Sequence, residues 1–437
     1  MAARVIYFRR MLGGGVRSLL SNVAARCAAL ASTFAATLLL ARNGGTAVVG
    51  IYALLHVLPG LVGTLLSAGL PVAVPYFLAG PERRNRTLPL TIAAIAAIGG
   101  VVGTILWIVL APAFGPRLFP DLSPPLVMLA GLAVLTRLVT TTAKSCSQGT
   151  HDLHGANRVI FTEEFMFLPA YALVRAVGLG DYGAVIGAFL VADTATSTLA
   201  WARLVRRGFF RGAARPSVPL ARGITSYGLR AQVGGLMAQL NLRLDFIILS
   251  VLAGPATLGV YAVASKFAEL VKIFGMALTY VLYPRFARSG LKQAIADARK
   301  LIPRAALVTA SAAALLWIAC GFAIPAFYGS AFDGAVTPAR IILIGLVLDG
   351  VASVITAFFY GVGRPGLNSS AVAGGLVATV VLDVLLIPSF GATGAAVASA
   401  VAYTLSTLFL LALFWRTARP AGSSRWRERP LPSPDAG

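Results

Sequence analysis

The chain has 437 residues, 58% of them hydrophobic and 12% charged, with a mean hydropathy of +0.82. Soluble domains are about 45–50% apolar and about 25% charged, so the composition excludes a water-soluble globular protein and points to a membrane one. The net charge of +22, from 37 Lys and Arg against 15 Asp and Glu, does not indicate nucleic-acid binding, because the basic residues fall in short clusters between apolar runs, as topology signals do.

In chain order, a basic N-terminus (Arg4, Arg9, Arg10) leads into an apolar run from Val16 to Ala41. That run exceeds a signal-peptide core of about 7–15 residues and reads as a retained first span. Apolar windows of about 20 residues predict twelve spans, at 16–42, 46–79, 88–113, 121–144, 157–178, 182–205, 224–252, 256–283, 302–328, 337–361, 367–388 and 392–416. The second is overlong and holds Gly69, Pro71 and Pro75, so a kink is expected before its end. Arg83, Arg84 and Arg86, the arginines from Arg203 to Arg222, the 285–304 connection and the tail after Arg416 share one side; only Arg42, Arg117, Arg175 and Arg340 lie opposite. The bias puts the rich side and both termini in the cytoplasm. Leu291, Ile295 and Ile302 against Lys292, Arg299 and Lys300 predict a short helix on an anionic membrane surface. Residues 207–223, with Pro216 and Pro219, read as a basic linker, and 418–437 as a disordered tail.

Gly50-Ile51-Tyr52-Ala53 recurs 209 positions later as Gly259-Val260-Tyr261-Ala262, and Pro75 recurs as Pro284. Leu106-Trp107-Ile108 and Pro112-Ala113-Phe114 return as Leu316-Trp317-Ile318 and Pro325-Ala326-Phe327. Such ordered echoes predict a duplicated six-span unit. The expected architecture is all-α: two six-helix lobes, 1–206 and 224–417, related by a pseudo-two-fold axis along the membrane normal.

Charge within spans is costly and marks candidate sites. Asn22, Arg26, Thr33 and Thr37 share one face of the first span, with Arg26 roughly 15 Å deep by helical rise. In the seventh span Arg230, Gly234, Asn241 and Asp245 form one line, while Gln239 and Arg243 form another almost opposite, so only one line can meet a central cleft. Lys266, Glu269 and Lys272 in the eighth are spaced by three and can neutralise one another. Asp193, Asp245, Glu269, Asp349 and Asp383 are carboxylates within spans, suited to binding H⁺ or Na⁺ or to structural hydrogen bonding. Cys27, Cys146 and Cys320 make no Cys-x-x-Cys motif, and His151-x2-His154 lacks partners at ligand spacing, so no metal site is expected. The chain has no phosphate-cradling Gly-Lys-Ser loop and no catalytic triad, which argues against an enzyme.

The long second span with Gly50-Ile51-Tyr52-Ala53 and the passage from Asp245 through Gly259-Val260-Tyr261-Ala262 to Tyr283-Pro284-Arg285 resemble a known family, as do Gly361-x-Gly363-Arg364-Pro365 and Ile387-Pro388-x2-Gly391-x2-Gly394-Ala395-Ala396. The family is the polysaccharide-transporter (O-antigen flippase) branch of the multidrug/oligosaccharidyl-lipid/polysaccharide exporter superfamily. The resemblance implies a non-enzymatic exporter that moves isoprenoid-diphosphate-linked oligosaccharide from the cytoplasmic to the outer leaflet, with no cofactor beyond a coupling H⁺ or Na⁺. Implied partners are the lipid-linked oligosaccharide, membrane lipids and polysaccharide polymerase components, with no nucleic acid. It places the exporter in a bacterial inner (plasma) membrane and favours the Arg230, Asn241 and Asp245 line for the cleft; with Asn22 and Arg26 of the first span and Lys266 and Lys272 of the eighth, these make the expected cleft set. Asp383 departs from the family pattern, where a neutral amide is expected. Alternative expectations are an ion-coupled multidrug antiporter of the same superfamily and a non-transporting scaffold for polysaccharide assembly.

Overall fold

The computed structural model describes residues 2–418, with side chains from Ser21 onward except Ala238. The tail beyond residue 418, and the side chains of Arg4, Arg9 and Arg10, lie outside the described residues. Among those described there is no strand; the chain forms α1 (Ala2–Leu66), α2 (Leu70–Ala79), α3 (Leu88–Leu118), α4 (Pro124–Ala130), α5 (Leu132–Gly149), α6 (Leu153–Phe165), α7 (Phe167–Ala176), α8 (Asp181–Arg206), α9 (Val218–Arg288), α10 (Leu291–Tyr328), α11 (Val336–Gly345), α12 (Asp349–Gly361) and α13 (Pro365–Ala418). Helices are what the composition demands, since hydrocarbon offers the backbone no hydrogen-bond partner but itself.

Seven helices among the described residues are long and apolar enough to cross a membrane, or eight when the pair ending in α11 and α12, bent by 44°, is taken as one. Three elements are far too long for one crossing: α1, α9 and α13 have 65, 71 and 54 residues, roughly 80–105 Å if straight, against a hydrocarbon core of about 30 Å. Each is two helices meeting at a glycine of non-helical backbone: Gly45 (φ 74°), Gly254 (φ 82°) and Gly391 (φ 52°). These positive φ values suit glycine because it carries no Cβ. All three breaks fall between spans read from the sequence, and the kink expected near Gly69 is the gap between α1 and α2, where Ala68 and Gly69 take φ of 49° and 80°.

One expectation needs correction, and one connecting segment is packed more tightly than its composition suggests. The 291–302 stretch is no separate surface helix but the first turns of α10, which runs unbroken through Pro303; Ala294, Asp297 and Ala298 are buried, and Arg285 holds Asp297 at 2.8 Å. The 207–223 segment is not a free linker. Helix α9 begins at Val218, Phe209 packs into the core, Phe210 stacks on Trp201 at 5.9 Å, and the Ala214 and Ser217 amides donate to the Arg86 carbonyl (2.8 Å) and the Thr91 hydroxyl (3.0 Å).

On the face carrying these arginine-rich connections, here the basic face, Asp152 caps α6 by accepting from the Gly155 amide at 3.0 Å and pairs with Arg203 and Arg207, each at 2.8 Å. Burial alone would raise this carboxyl, but the Arg203 and Gly155 hydrogen bonds and the two guanidinium charges reverse that and bring it down to about 2.

The opposite, far face carries the glycine breaks, and there the sequence repeat becomes a physical contact. A Cβ on Gly50 would lie 1.8 Å from the Pro255 carbonyl oxygen, and one on its repeat partner Gly259 would lie 1.9 Å from that of Thr46. The two halves touch backbone to backbone, and glycine at both positions permits it. One apolar core continues through both halves, from Ile51, Leu54 and Phe189 to Leu258, Tyr261 and Tyr328.

Candidate functional site

Two polar clusters lie inside the helical body, one in each half of the chain. In the first, Arg137 and Lys144 are seven residues apart and so share a face of α5. Arg137 pairs with Asp193 of α8 at 3.0 Å and with Glu163 of α6 at 3.1 Å, and stacks on Phe189 with its guanidinium carbon 4.7 Å from the ring centre. Lys144 holds the other Glu163 oxygen at 3.2 Å. Next to them, Glu164 accepts from Thr33 at 2.9 Å and meets the His56 ring at 3.4 Å. Every carboxylate here has a partner, as charges at membrane depth require.

The second cluster is built differently. Glu269 of α9 gives one oxygen to Arg243 and the other to Lys266, both at 3.3 Å, while the Lys272 ammonium sits 3.8 Å from the Tyr403 ring centre. Arg243 and Lys266 share one carboxylate, and among the described residues Lys272 makes no ion pair, so the cations outnumber the carboxylates paired with them by two; Asp245 and Asp349 act on the cluster at longer range. The Arg243, Lys266 and Glu269 side chains are 32%, 13% and 26% exposed, so the cluster is not sealed within the protein. Glu269 lies within electrostatic range of His56 in the first cluster.

Within electrostatic range of the second cluster lies a buried polar group. Asp245, 4% exposed, accepts from the Tyr261 hydroxyl and from the Phe246 amide (2.9 Å), with Ser399 bridging to Tyr261 at 3.0 Å. Asp383 is fully buried, and neither of its oxygens has a hydrogen-bond partner; the Asn241 side-chain oxygen is likewise unpartnered. Asp383 senses the charge of Asp245, so these groups are neighbours. Asp349 packs over Gly275 and interacts with Lys272.

The expected cleft set is therefore divided. Lys266 and Lys272 come together in the second cluster. Asn22 donates to Asn157 at 2.8 Å and accepts from Arg26 at 3.0 Å, leaving Arg26 exposed nearer the basic face. Arg230 is also exposed and turns back on Ser226 of its own helix. Asp245 faces the interior of its own half rather than open space, because its line on α9 packs against Tyr261 and the Ser399 helix; Arg243, on the other line, is the residue that reaches the open cluster. Among the proposed ion-coupling residues, Asp193 and Glu269 are paired with cations, Asp245 is hydrogen-bonded, and Asp383 stands alone. Among the described residues no group of three or more His, Cys, Asp or Glu is placed to hold a metal ion. The reading from sequence missed the joint network of His56, Arg137, Lys144, Glu163 and Glu164. Its available signal was opposite charges in two adjacent spans, Arg137 against Glu163 and Glu164.

Comparison with known proteins bears on this arrangement. The model of a family described as polysaccharide biosynthesis protein matches residues 19–289. A curated relative, the probable low-salt glycan biosynthesis flippase Agl15 of Haloferax volcanii, is 26% identical over 202 residues, 44% of this chain and 42% of that one. The chain thus spans less than half the length of that relative. The fold resembles an inward-facing multidrug resistance MATE family transporter of the MOP superfamily (TM-score 0.72, 16% identity, 91% of this chain and 94% of that one). It also resembles the lipid II flippase MurJ in an inward closed conformation (TM-score 0.68, 14% identity, 92% and 90%). At these identities the likeness is one of fold, that of a multi-span membrane transporter. The family model covers well over half of the sequence, and the chain belongs to the polysaccharide biosynthesis protein family.

Proposed function

We propose that this protein is a flippase that carries isoprenoid-diphosphate-linked oligosaccharide from the cytoplasmic to the outer leaflet of a bacterial inner membrane. The observation that carries the reading is the unneutralised positive charge of Arg243, Lys266 and Lys272 within the helical body of a polysaccharide biosynthesis family member. A diphosphate diester carries about two negative charges at neutral pH, the complement of that surplus, and arginine and lysine are the side chains that bind phosphoryl oxygens. The sugar would occupy the space between the two clusters while the isoprenoid tail stays in lipid. Twelve spans in two lobes would rock about this site, with the basic face and both termini in the cytoplasm.

Export of a diphosphate from a negative interior runs down the membrane potential, worth about 2.3 kcal/mol per charge per 100 mV. A coupling ion would add to this. An unpartnered buried carboxylate costs several kcal/mol unless it is protonated or holds a cation, and Asp383, within electrostatic range of Asp245, has the chemistry to take H⁺ or Na⁺. The acidic first cluster favours a second reading, a cation-exporting multidrug antiporter; against it, each of those carboxylates already has a partner. Sealed vesicles carrying the protein and a fluorescent isoprenoid-diphosphate oligosaccharide test the proposal: protein-dependent transfer between leaflets supports it, and transfer of a lipophilic cation instead would favour the antiporter.

A further inference from the structure

Contacts between the two halves are distributed unequally along their two edges. On one edge, α2 and the second arm of α1 meet the first arm of α9 through the whole membrane thickness. From the basic face outward, Tyr76 stacks on Tyr227 at 4.4 Å, and a Cβ on Gly69 would fall 2.0 Å from the Gly228 backbone. Next, Ser67 donates to Gln232 at 3.0 Å and Gln232 to the Thr64 carbonyl at 2.6 Å. At the far face, Ser250 donates to the Leu118 carbonyl at 3.2 Å. Tyr227 and Ser250 are 23 residues apart, roughly 35 Å of helix.

Among the described residues, the other edge is joined by hydrogen bonds at the far face only. There Arg42, at the end of the first arm of α1, reaches across to the C-terminus of α10: its Nε donates to the Phe327 carbonyl at 2.7 Å and an Nη to the Ala326 carbonyl at 2.8 Å. The last four carbonyls of a helix lack intrahelical partners and carry the negative end of its dipole, so a guanidinium from the opposite half supplies the missing cap. Thr37 shares a hydrogen bond with Tyr328 at 3.1 Å, and Phe34 packs edge-on to Tyr328 at 5.5 Å. Toward the basic face, among the described residues no hydrogen bond, ion pair or ring contact joins residues 21–33 to the second half, and Asn22 and Thr33 bond within their own. The repeat makes the asymmetry plain. Each half sends the end of its first helix to a terminal carbonyl of the other's third helix, but one does so with an exposed arginine making two bonds and the other with a buried serine making one.

We propose that the edge formed by α2 and the first arm of α9 is a permanent hinge and that Arg42 is the latch of the opposite edge, so that breaking its cap on α10 opens the far face. The proposal rests on the reading that the halves alternate between two states, but not on what they carry. Its test uses the full chain in lipid nanodiscs with Cys27→Ser, and spin labels at the exposed far-face positions Val177→Cys and Ser389→Cys, read by pulsed dipolar spectroscopy. Arg42→Gln is expected to raise the population at the longer separation at least about tenfold over the parent, and Arg42→Lys, which cannot reach both carbonyls with a fixed fork, by less. In a second pair of variants, read by transport and by a donor–acceptor dye pair at the same two positions, the halves are joined through engineered cysteines by a short bifunctional reagent. Joining Tyr76→Cys to Tyr227→Cys should leave both populations, whereas joining Arg42→Cys to Phe327→Cys should leave only the shorter. Two populations that Arg42→Gln fails to shift would overturn the latch, and loss of the longer population on joining positions 76 and 227 would overturn the hinge. A single population in every variant would instead overturn the rocking reading itself.

Discussion

Replacing Arg137 by Leu removes the cation that holds Asp193 and Glu163 in the first cluster. The two partners suffer unequally. Glu163 keeps Lys144 at 3.2 Å, while Asp193, 3% exposed, is left with a single 3.5 Å hydrogen bond from Thr136. Breaking a buried pair by removing one member costs about 3–5 kcal/mol, because the surviving charge is stranded, whereas replacing both members by apolar residues is often neutral. The Arg137→Leu protein should therefore unfold at a clearly lower temperature in detergent, and Arg137→Leu with Asp193→Leu should recover most of the loss. Thermal unfolding followed by size-exclusion chromatography reads both. A single variant as stable as the parent, or a double variant no better than the single, would refute the reasoning that this network is structural.

The second cluster should behave oppositely. Lys272→Gln, at a site stacked on Tyr403 without an ion pair, is expected to lower transport of a diphosphate-linked substrate at least about tenfold, the scale of one lost charged hydrogen bond, with unchanged thermal stability; parallel losses of both would contradict it. If Asp383 takes the coupling ion, Asp383→Asn should abolish any rise in melting temperature that Na⁺ gives the parent, by the linkage of binding to stability, and an undiminished rise would remove Asp383 from that role. Gly259→Val should fail to reach the folded yield of the parent, since even its Cβ would sit 1.9 Å from the Thr46 carbonyl oxygen; normal yield would show that the halves need not meet there. Asp152, brought down to about 2 from 3.8, contributes stability by linkage, less than the full shift because its arginine partners are partly exposed and screened by solvent. That contribution is full above about pH 4 and is lost as pH falls through about 2, so Asp152→Asn should destabilise at pH 7 and match the parent near pH 2.

Much of the fold was legible because hydrocarbon leaves few choices: long apolar windows must be helices, and the glycines at 45, 254 and 391 mark where they break. The echo of Gly50-Ile51-Tyr52-Ala53 in Gly259-Val260-Tyr261-Ala262 was legible too, and both glycines lie where backbones meet. The site was less so. Arg243 and Asp245 lie two residues apart on one helix, both charged, and local sequence gives each an equal claim to the cleft; only the packing of Tyr261 and the Ser399 helix decides that Asp245 turns inward. The Arg137 network joins residues 26 and 56 positions apart on three helices, so its pairings exist only once those helices are arranged. The 207–217 segment carries proline and arginine like a linker, yet Phe209 and Phe210 anchor it.

The central claim, that the surplus charge of Arg243, Lys266 and Lys272 carries a diphosphate across the membrane, is tested most directly in sealed vesicles. Fluorescent isoprenoid-diphosphate oligosaccharide starts in one leaflet, and its appearance in the other is followed with the potential imposed in either direction. Protein-dependent transfer that speeds up when the destination side is positive, and that falls when the three cations are replaced together by Gln, is the predicted result. Transfer that ignores both the potential and those three residues would contradict it.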